Sequence, residues 1–394
     1  MISFTNSHCP TRSSGITGQI RKGAIAVLAA ILLIFLLAMV AFVVDIGYLV
    51  STRAEMQRTA DAAALAGAWE MLGDEALTPE RVHIINYAAR TKAAEVASLN
   101  KVIQTNPSMG LYRDIDIGYL SDPTNRYEWL KYDDPLKYNT VQVRLRYDGD
   151  LNQSISLFFA PVLGIDAKNM HVHAAASFTS SKTTGFRITP NTENCTLMPF
   201  AVKLQDWLDL LAGTGEDNWS HNSETGEVTA GSDGIRELKM YPEKDLGWGI
   251  VPGNFGTVDV GDPNNAAETL VRQILDGVST EDLSYYPNGE LKLDPETGEL
   301  ILNGDTGLST TIKSALEEVI GKPRSICLYV TATDQGNTTD YTIVGFAGIR
   351  VVDVQLTGND KYVLVQPGMV ADSCAILGNN DTSYFLGPPV FLIR

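Results

Sequence analysis

The residues that could do chemistry are few. Asp305-Thr-Gly307 matches the triplet from which aspartic proteases build their catalytic pair. Those enzymes need two such carboxylates sharing a proton, and this chain has one copy. With Asn303-Gly304 before it, the triplet reads as a turn ahead of a helix at Leu308. His171 and His173 stand two apart on an alternating run, so they share a strand face and could ligate a metal. Zinc wants at least a third ligand, and no nearby His or Cys supplies one. Solvent-facing histidines on a half-buried strand are the better account. Asp148-Gly-Asp150-Leu-Asn152 has oxygens at calcium-like spacing but lacks the Gly and terminal Glu of an EF-hand loop, so it reads as a turn. Gly321-Lys322 is not a Walker motif, because Leu316 stands where that motif needs Gly. Gly-x-Ser-x-Gly, Cys-x-x-Cys and His-Glu-x-x-His do not occur. The expectation is a protein without catalytic residues, cofactor or metal.

Four cysteines are too few for a disulfide scaffold. Cys9 lies before the apolar run described next. Cys327 sits in an apolar stretch and reads as a buried free thiol. Cys195 and Cys374, near the two ends of the distal region, are the candidate disulfide.

The element that must position everything else is a run of uncharged, mostly apolar residues from 24 to 44. Hydrocarbon of about 30 Å needs roughly 20 helical residues to cross it. The run contains no Pro, and its far end lacks an Ala-x-Ala-like cleavage site, so it reads as an uncleaved anchor rather than a signal peptide. Arg12, Arg21 and Lys22 precede it with no acidic residue, while the other flank mixes signs. That bias predicts a cytoplasmic N-terminal tail over 1–23 and an extracytoplasmic bulk, single-pass in the cytoplasmic membrane. All 47 acidic residues lie after Val44 and three of the 30 basic ones before it, so the exported part carries −20. Such a surface disfavours nucleic acid and anionic head groups.

The helix is expected to continue past the membrane. Residues 45–72 contain no Pro and are rich in Ala, Leu, Met and Gln. Leu49, Met56, Ala60, Ala63, Gly67 and Met71 form a stripe of mostly small residues that another element could approach closely. Gly73 is a plausible stop, and Thr78-Pro79 an N-cap for a second helix with Val82, Ile85, Ala89, Ala93 and Val96 inward. Residues 140–147 and 170–178 alternate as strands, with a helical turn ended by Gly164 between them. Residues 179–185 read as a linker. Beyond it a hairpin is expected across Asp294-Pro-Glu-Thr-Gly298, with helices at 266–275 and 308–320 and β-rich runs at 325–331, 341–356 and 361–365. The expected fold is α+β: an anchor helix over 24–44, a stalk and small sheet domain over 45–183, and a distal α+β domain over 184–394.

Residues 23–68 carry a family signature. An apolar span is followed by Val43-Val-Asp45-Ile-Gly47-Tyr and then by Gln57-Arg-Thr-Ala-Asp61-Ala-Ala-Ala-Leu-Ala-Gly-Ala. This resembles the N-terminal segment of TadG-like proteins of the tight-adherence (Flp, type IVb) pilus-assembly apparatus. The apolar run from Leu157 to Gly164 and the following Ala-Ala-Ala-Ser strand are similar to the close of their first domain. The resemblance implies a membrane-anchored scaffold or minor pilus-associated protein, with Asp45 and Gly47 as a membrane-boundary motif. It implies other pilus-assembly proteins or pilins as partners, together with cell-wall contact. Gly23 matches the position before a prepilin-type cleavage site, but Leu28 stands where those substrates carry Glu, which argues against processing. The Asp-x-Ser-x-Ser metal motif of von Willebrand A domains, found in some TadG-like proteins, is missing. A surface adhesin or carbohydrate-binding ectodomain on a generic anchor is the alternative, and an anchored hydrolase a third reading.

Overall fold

The computed structural model describes residues 22–72, 82–125, 127–179, 181–188, 194–223, 225–241, 244–245, 250–251, 253–261, 266–305, 310–333, 339–358, 360–382 and 384–393. The expected Gly73 stop, the Thr78-Pro79 cap and the Thr306-Gly307 part of the protease-like triplet lie outside them.

One helix, α1 (Lys22–Glu70), joins span and stalk without a break. At 49 residues it is roughly 70 Å long. No Pro interrupts it, and its Ala, Leu, Met and Gln residues hold the helix on past the apolar run. Its two halves meet different surroundings. Every residue from 25 to 44 is exposed except Ala41, which is half-buried. From Asp45 onward one face is buried, with Met56, Ala60, Ala63, Ala64 and Ala68 fully covered.

That face meets α2 (Val82–Leu99) and a four-stranded antiparallel sheet. In the sheet, β1 (Ile115–Gly118) pairs with β2 (Thr140–Tyr147). A short hairpin, β3 (Ile155–Ser156) and β4 (Ala167–Lys168), precedes β5 (Met170–Ser177), which pairs with β2. Alternation does the expected work: Val141, Val143, Leu145, Val172, Ala174 and Ala176 face the helices in one core. Buried α2 positions are Ile85, Ala89, Ala93 and Ala97, four apart, while Val96 is only half-buried.

The last strand of this sheet was not expected. Phe391–Ile393, at the far end of the chain, pairs antiparallel with β5. Residues 179–185 also depart from expectation. They include most of β6 (Ser181–Arg187), paired with Glu290–Lys292 and Ala375–Thr382, so the anticipated boundary at 183/184 falls inside a strand. Ser, Thr and Gly mark turns by composition, yet Thr suits a pleated surface. Gly185 is there because Leu291 O would lie 2.4 Å from a Cβ at that position. The hairpin across Asp294 is likewise corrected. Its turn forms, with Asp294 N–H donating to Glu299 O at 2.9 Å, but its two arms enter different sheets.

The distal unit is built on a seven-stranded sheet in the order Leu238–Met240, Tyr362–Pro367, Thr339–Gln355, Leu300–Asp305, Phe255–Val258, Leu197–Lys203, Pro323–Thr333. Both faces are covered. Met198, Phe200 and Val202 point into one core with helices Leu204–Leu211, Ala267–Asp276 and Lys313–Glu318, and Leu197 and Ala201 point into the other. Double burial explains why the central strands read as continuous apolar runs rather than alternating ones.

Candidate functional site at the membrane boundary

Asp45 is the first charged residue after the span, and its side chain does not stay in water. The residue is 5% exposed. Its carboxylate accepts three backbone hydrogen bonds, from the N–H groups of Phe158 at 2.9 Å, Phe159 at 3.1 Å and Ala160 at 2.7 Å. These amides open a single 3-10 turn, Ala160–Leu163, where a turn start leaves N–H groups without internal partners. Pro161 sits in the first positions of that turn, and Gly164 ends it at φ 81°. One helical turn above Asp45, the Tyr48 ring meets Phe158 edge-on, centroids 4.9 Å apart. The segment 157–165 is thus clamped to α1 where the span ends.

Gly47, the other half of the expected boundary motif, is exposed, and a Cβ there would meet nothing within 4 Å. Gly23 lies in the first turn of α1. Leu49 is half-buried against the proximal core.

The stripe above forms a tight three-way seam. Met56, Ala60 and Ala63 are fully buried, and a Cβ on Gly67 would come within 3.1 Å of Ala89 O, Ala93 Cβ and Val141 Cγ1. Methyl groups and a hydrogen atom let α1, α2 and β2 approach closely. Gln57 adds a polar tie, its side-chain amide donating to His173 O at 2.9 Å. In this chain the seam is filled by the protein's own α2 and sheet.

The other candidate residues are scattered. His171 and His173 are exposed on the open face of β5, rings 5.7 Å apart. Burial of the ring edge, then Arg144 and His171, lower the His173 pKa. Among the described residues, no group of three or more His, Cys, Asp or Glu could hold a metal ion. The oxygens of the calcium-like triplet are engaged within the chain. Asp148 accepts from Arg146 at 2.7 Å, Asp150 pairs with Arg113, and Asn152 bridges to Ser108. Asp305 ends its strand. Cys195 and Cys374 are buried, unbridged neighbours, and Cys327 is buried within its strand.

The spacing of 45–72 reveals the seam, but nothing in the sequence joins Asp45 to a turn 113 residues away. The available signal was the run from Leu157 to Ile165, nine residues without a charge or hydroxyl. The helical turn is legible in that run, but that its side chains face outward is not.

Comparison with known proteins places the boundary clamp and the seam in one matched region. Residues 23–70 match the family model described as Flp pilus-assembly TadE/G-like, and residues 66–176 match the one described as Tad-like Flp pilus-assembly. Residues 23–176 are therefore similar to TadE/G-like, tight-adherence pilus-assembly proteins, which supports a role in pilus assembly. Neither a curated protein nor a solved structure matches the chain.

Proposed function

We propose that this TadG-like protein is a membrane-anchored, non-enzymatic scaffold of Flp pilus assembly, its N-terminal tail cytoplasmic and its bulk outside. The observation that carries the reading is α1 itself. Its first half is long and apolar enough to cross a bilayer, and its second half is the central helix of a packed domain, with no joint between. A rigid helix of this kind holds the ectodomain at a set height above the membrane, which suits a part that positions other subunits. The orientation rests on Arg12, Arg21 and Lys22 before the span against mixed charge after it. Partners are other pilus-assembly proteins or pilins, reached through the outer surfaces of the two units, because the Ala-rich seam is already occupied.

Deleting the gene and counting surface pili by electron microscopy, with a complemented strain as control, tests the proposal. Loss of pili restored by complementation is the expected result. Unchanged pili would overturn the assembly role and turn attention to adhesion by the distal unit, measured as binding of the intact protein to glycans.

A further inference from the structure

The tip of the β3–β4 hairpin presents apolar side chains to the outside. Val162 is 88% and Leu163 79% exposed, and Phe158, Phe159 and Ile165 are also exposed. A patch of this size beside a folded core needs a partner surface. Its place in the fold says which one. The turn sits on α1 at Asp45, immediately above the last apolar residue of the span. Within 25–44, Ala41, one turn below Asp45 on the same face, is the single residue that is half-buried rather than exposed. The patch is therefore continuous with the lipid-facing surface of the anchor.

The backbone supplies a second, independent observation. Phe158, Phe159 and Ala160 N–H groups donate to Asp45, Leu157 N–H to Asp166 O, Val162 N–H to Phe159 O, Gly164 N–H to Pro161 O and Ile165 N–H to Ala160 O. Pro161 has no N–H. A loop in water has no need of such internal satisfaction, whereas irregular backbone near hydrocarbon does. Charged residues begin again only at Asp166 and Lys168, at the base of the hairpin.

We propose that residues 157–165 insert into the head-group and upper acyl region of the leaflet on the ectodomain side, as a second membrane contact locked to the anchor by Asp45. This rests on the reading that α1 spans the bilayer. The contact is apolar, since the inserted stretch carries no Lys or Arg, so it should not depend on anionic lipid or on salt. With two contacts, the helix and the wedge beside it, the ectodomain loses its freedom to rotate about a single stalk.

The test uses the full chain with Cys9→Ser, reconstituted in phosphatidylcholine vesicles. A nitrobenzoxadiazole label is placed at Val162→Cys, Ile34→Cys or Tyr127→Cys in separate variants, the three native ectodomain thiols being buried. The Val162 label should be quenched by lipid carrying a doxyl group near the head-group and be at least fivefold less sensitive to aqueous iodide than the Tyr127 label. Adding Asp45→Ala should bring back iodide quenching at Val162. If the Ile34 label escapes deep doxyl quenching, the anchor reading itself fails and the wedge with it. With Ile34 quenched, iodide access at Val162 equal to that at Tyr127 overturns the wedge alone. Shielding of Val162 from both quenchers also overturns it, assigning the patch to a protein neighbour instead.

Discussion

Ala63 shows how much one methyl group decides at the residue scale. It is fully buried where α1 faces α2 and the sheet, and the neighbouring Gly67 has no room to spare. Ala63→Glu would drive a carboxylate into a site lined by methyl and methylene groups. An uncompensated buried charge costs roughly 3–5 kcal/mol. The expected outcome is loss of the folded ectodomain, read as rapid proteolysis of the variant in membranes, while Ala62→Glu, on a half-buried position beside it, is tolerated. Helical spacing made these positions legible, because the pattern is local. The clamp at Asp45 was half legible: a charge at the end of a span stands out, but its partner amides have no sequence signature. The cysteines belong to the same class. The Cys374 neighbour and burial push the Cys195 thiol up, so Cys195 reacts slowly once folded. We expect an oxidising compartment to close the Cys195–Cys374 bridge during folding, by exchange with the disulfide of an exported thiol oxidase, whose own two sulfurs leave as thiols. Intact-protein mass spectrometry with thiol alkylation checks this. Three alkylatable ectodomain thiols after denaturation would refute it, and one would support it.

At the scale of elements, local patterning placed strands and helices well but did not assign their partners. Residues 140–147 and 170–177 were readable because alternation reports one buried face. Ser181–Arg187 was not, because a strand that opens with Ser, Lys, Thr, Thr and Gly has the composition of a loop even though it is paired on both sides. The arms of the Asp294 turn enter different sheets for a related reason: a turn dictates a reversal, not that the flanking strands share a ladder. The loop after β1 adds an element held by one side chain. Glu128 accepts from the N–H groups of Ser121 at 3.0 Å and Asp122 at 2.8 Å and from Lys131 at 2.8 Å. Burial would raise its pKa, but the Lys131, Ser121 and Asp122 hydrogen bonds outweigh that and hold it at about 2. Because the folded value lies below the ordinary 4.5, the stabilisation is complete above pH 4.5 and fades as pH falls towards 2. Amide exchange at Ser121 and Asp122, corrected for intrinsic acid dependence, should accelerate across that window. Glu128→Gln should show the fast exchange already at pH 6.

For the whole molecule, the informative feature is the return of the chain. After β5 it leaves the proximal sheet, builds the distal unit, and comes back to pair Phe391, Leu392 and Ile393 with Ser177, Ala176 and Ala175. The distal unit is in effect an insertion between two neighbouring strands of the membrane-proximal sheet, tethered at both ends. A single linker would let it swing, whereas two connections into adjacent strands restrain its orientation relative to the proximal sheet. No composition signal announces this, since Phe-Leu-Ile at the end of a chain is as consistent with a frayed tail as with a strand, and the pairing partner lies more than 200 residues away. The arrangement predicts a coupling between units that a two-domain chain with a flexible linker lacks. Removing residues 389–394 takes away Val390 and Leu392 from the proximal core and uncovers the edge of β5. That should cost roughly 2–3 kcal/mol, from lost apolar burial and ladder hydrogen bonds. In detergent micelles the truncated protein should unfold at lower temperature, and amides of residues 175–177 should lose exchange protection. Sites in the distal sheet, such as Phe346 and Ile349, should keep theirs, because both faces of that sheet stay covered. Unaltered protection at 175–177 would mean the last strand contributes no restraint, and the distal unit would then hang from β5 alone.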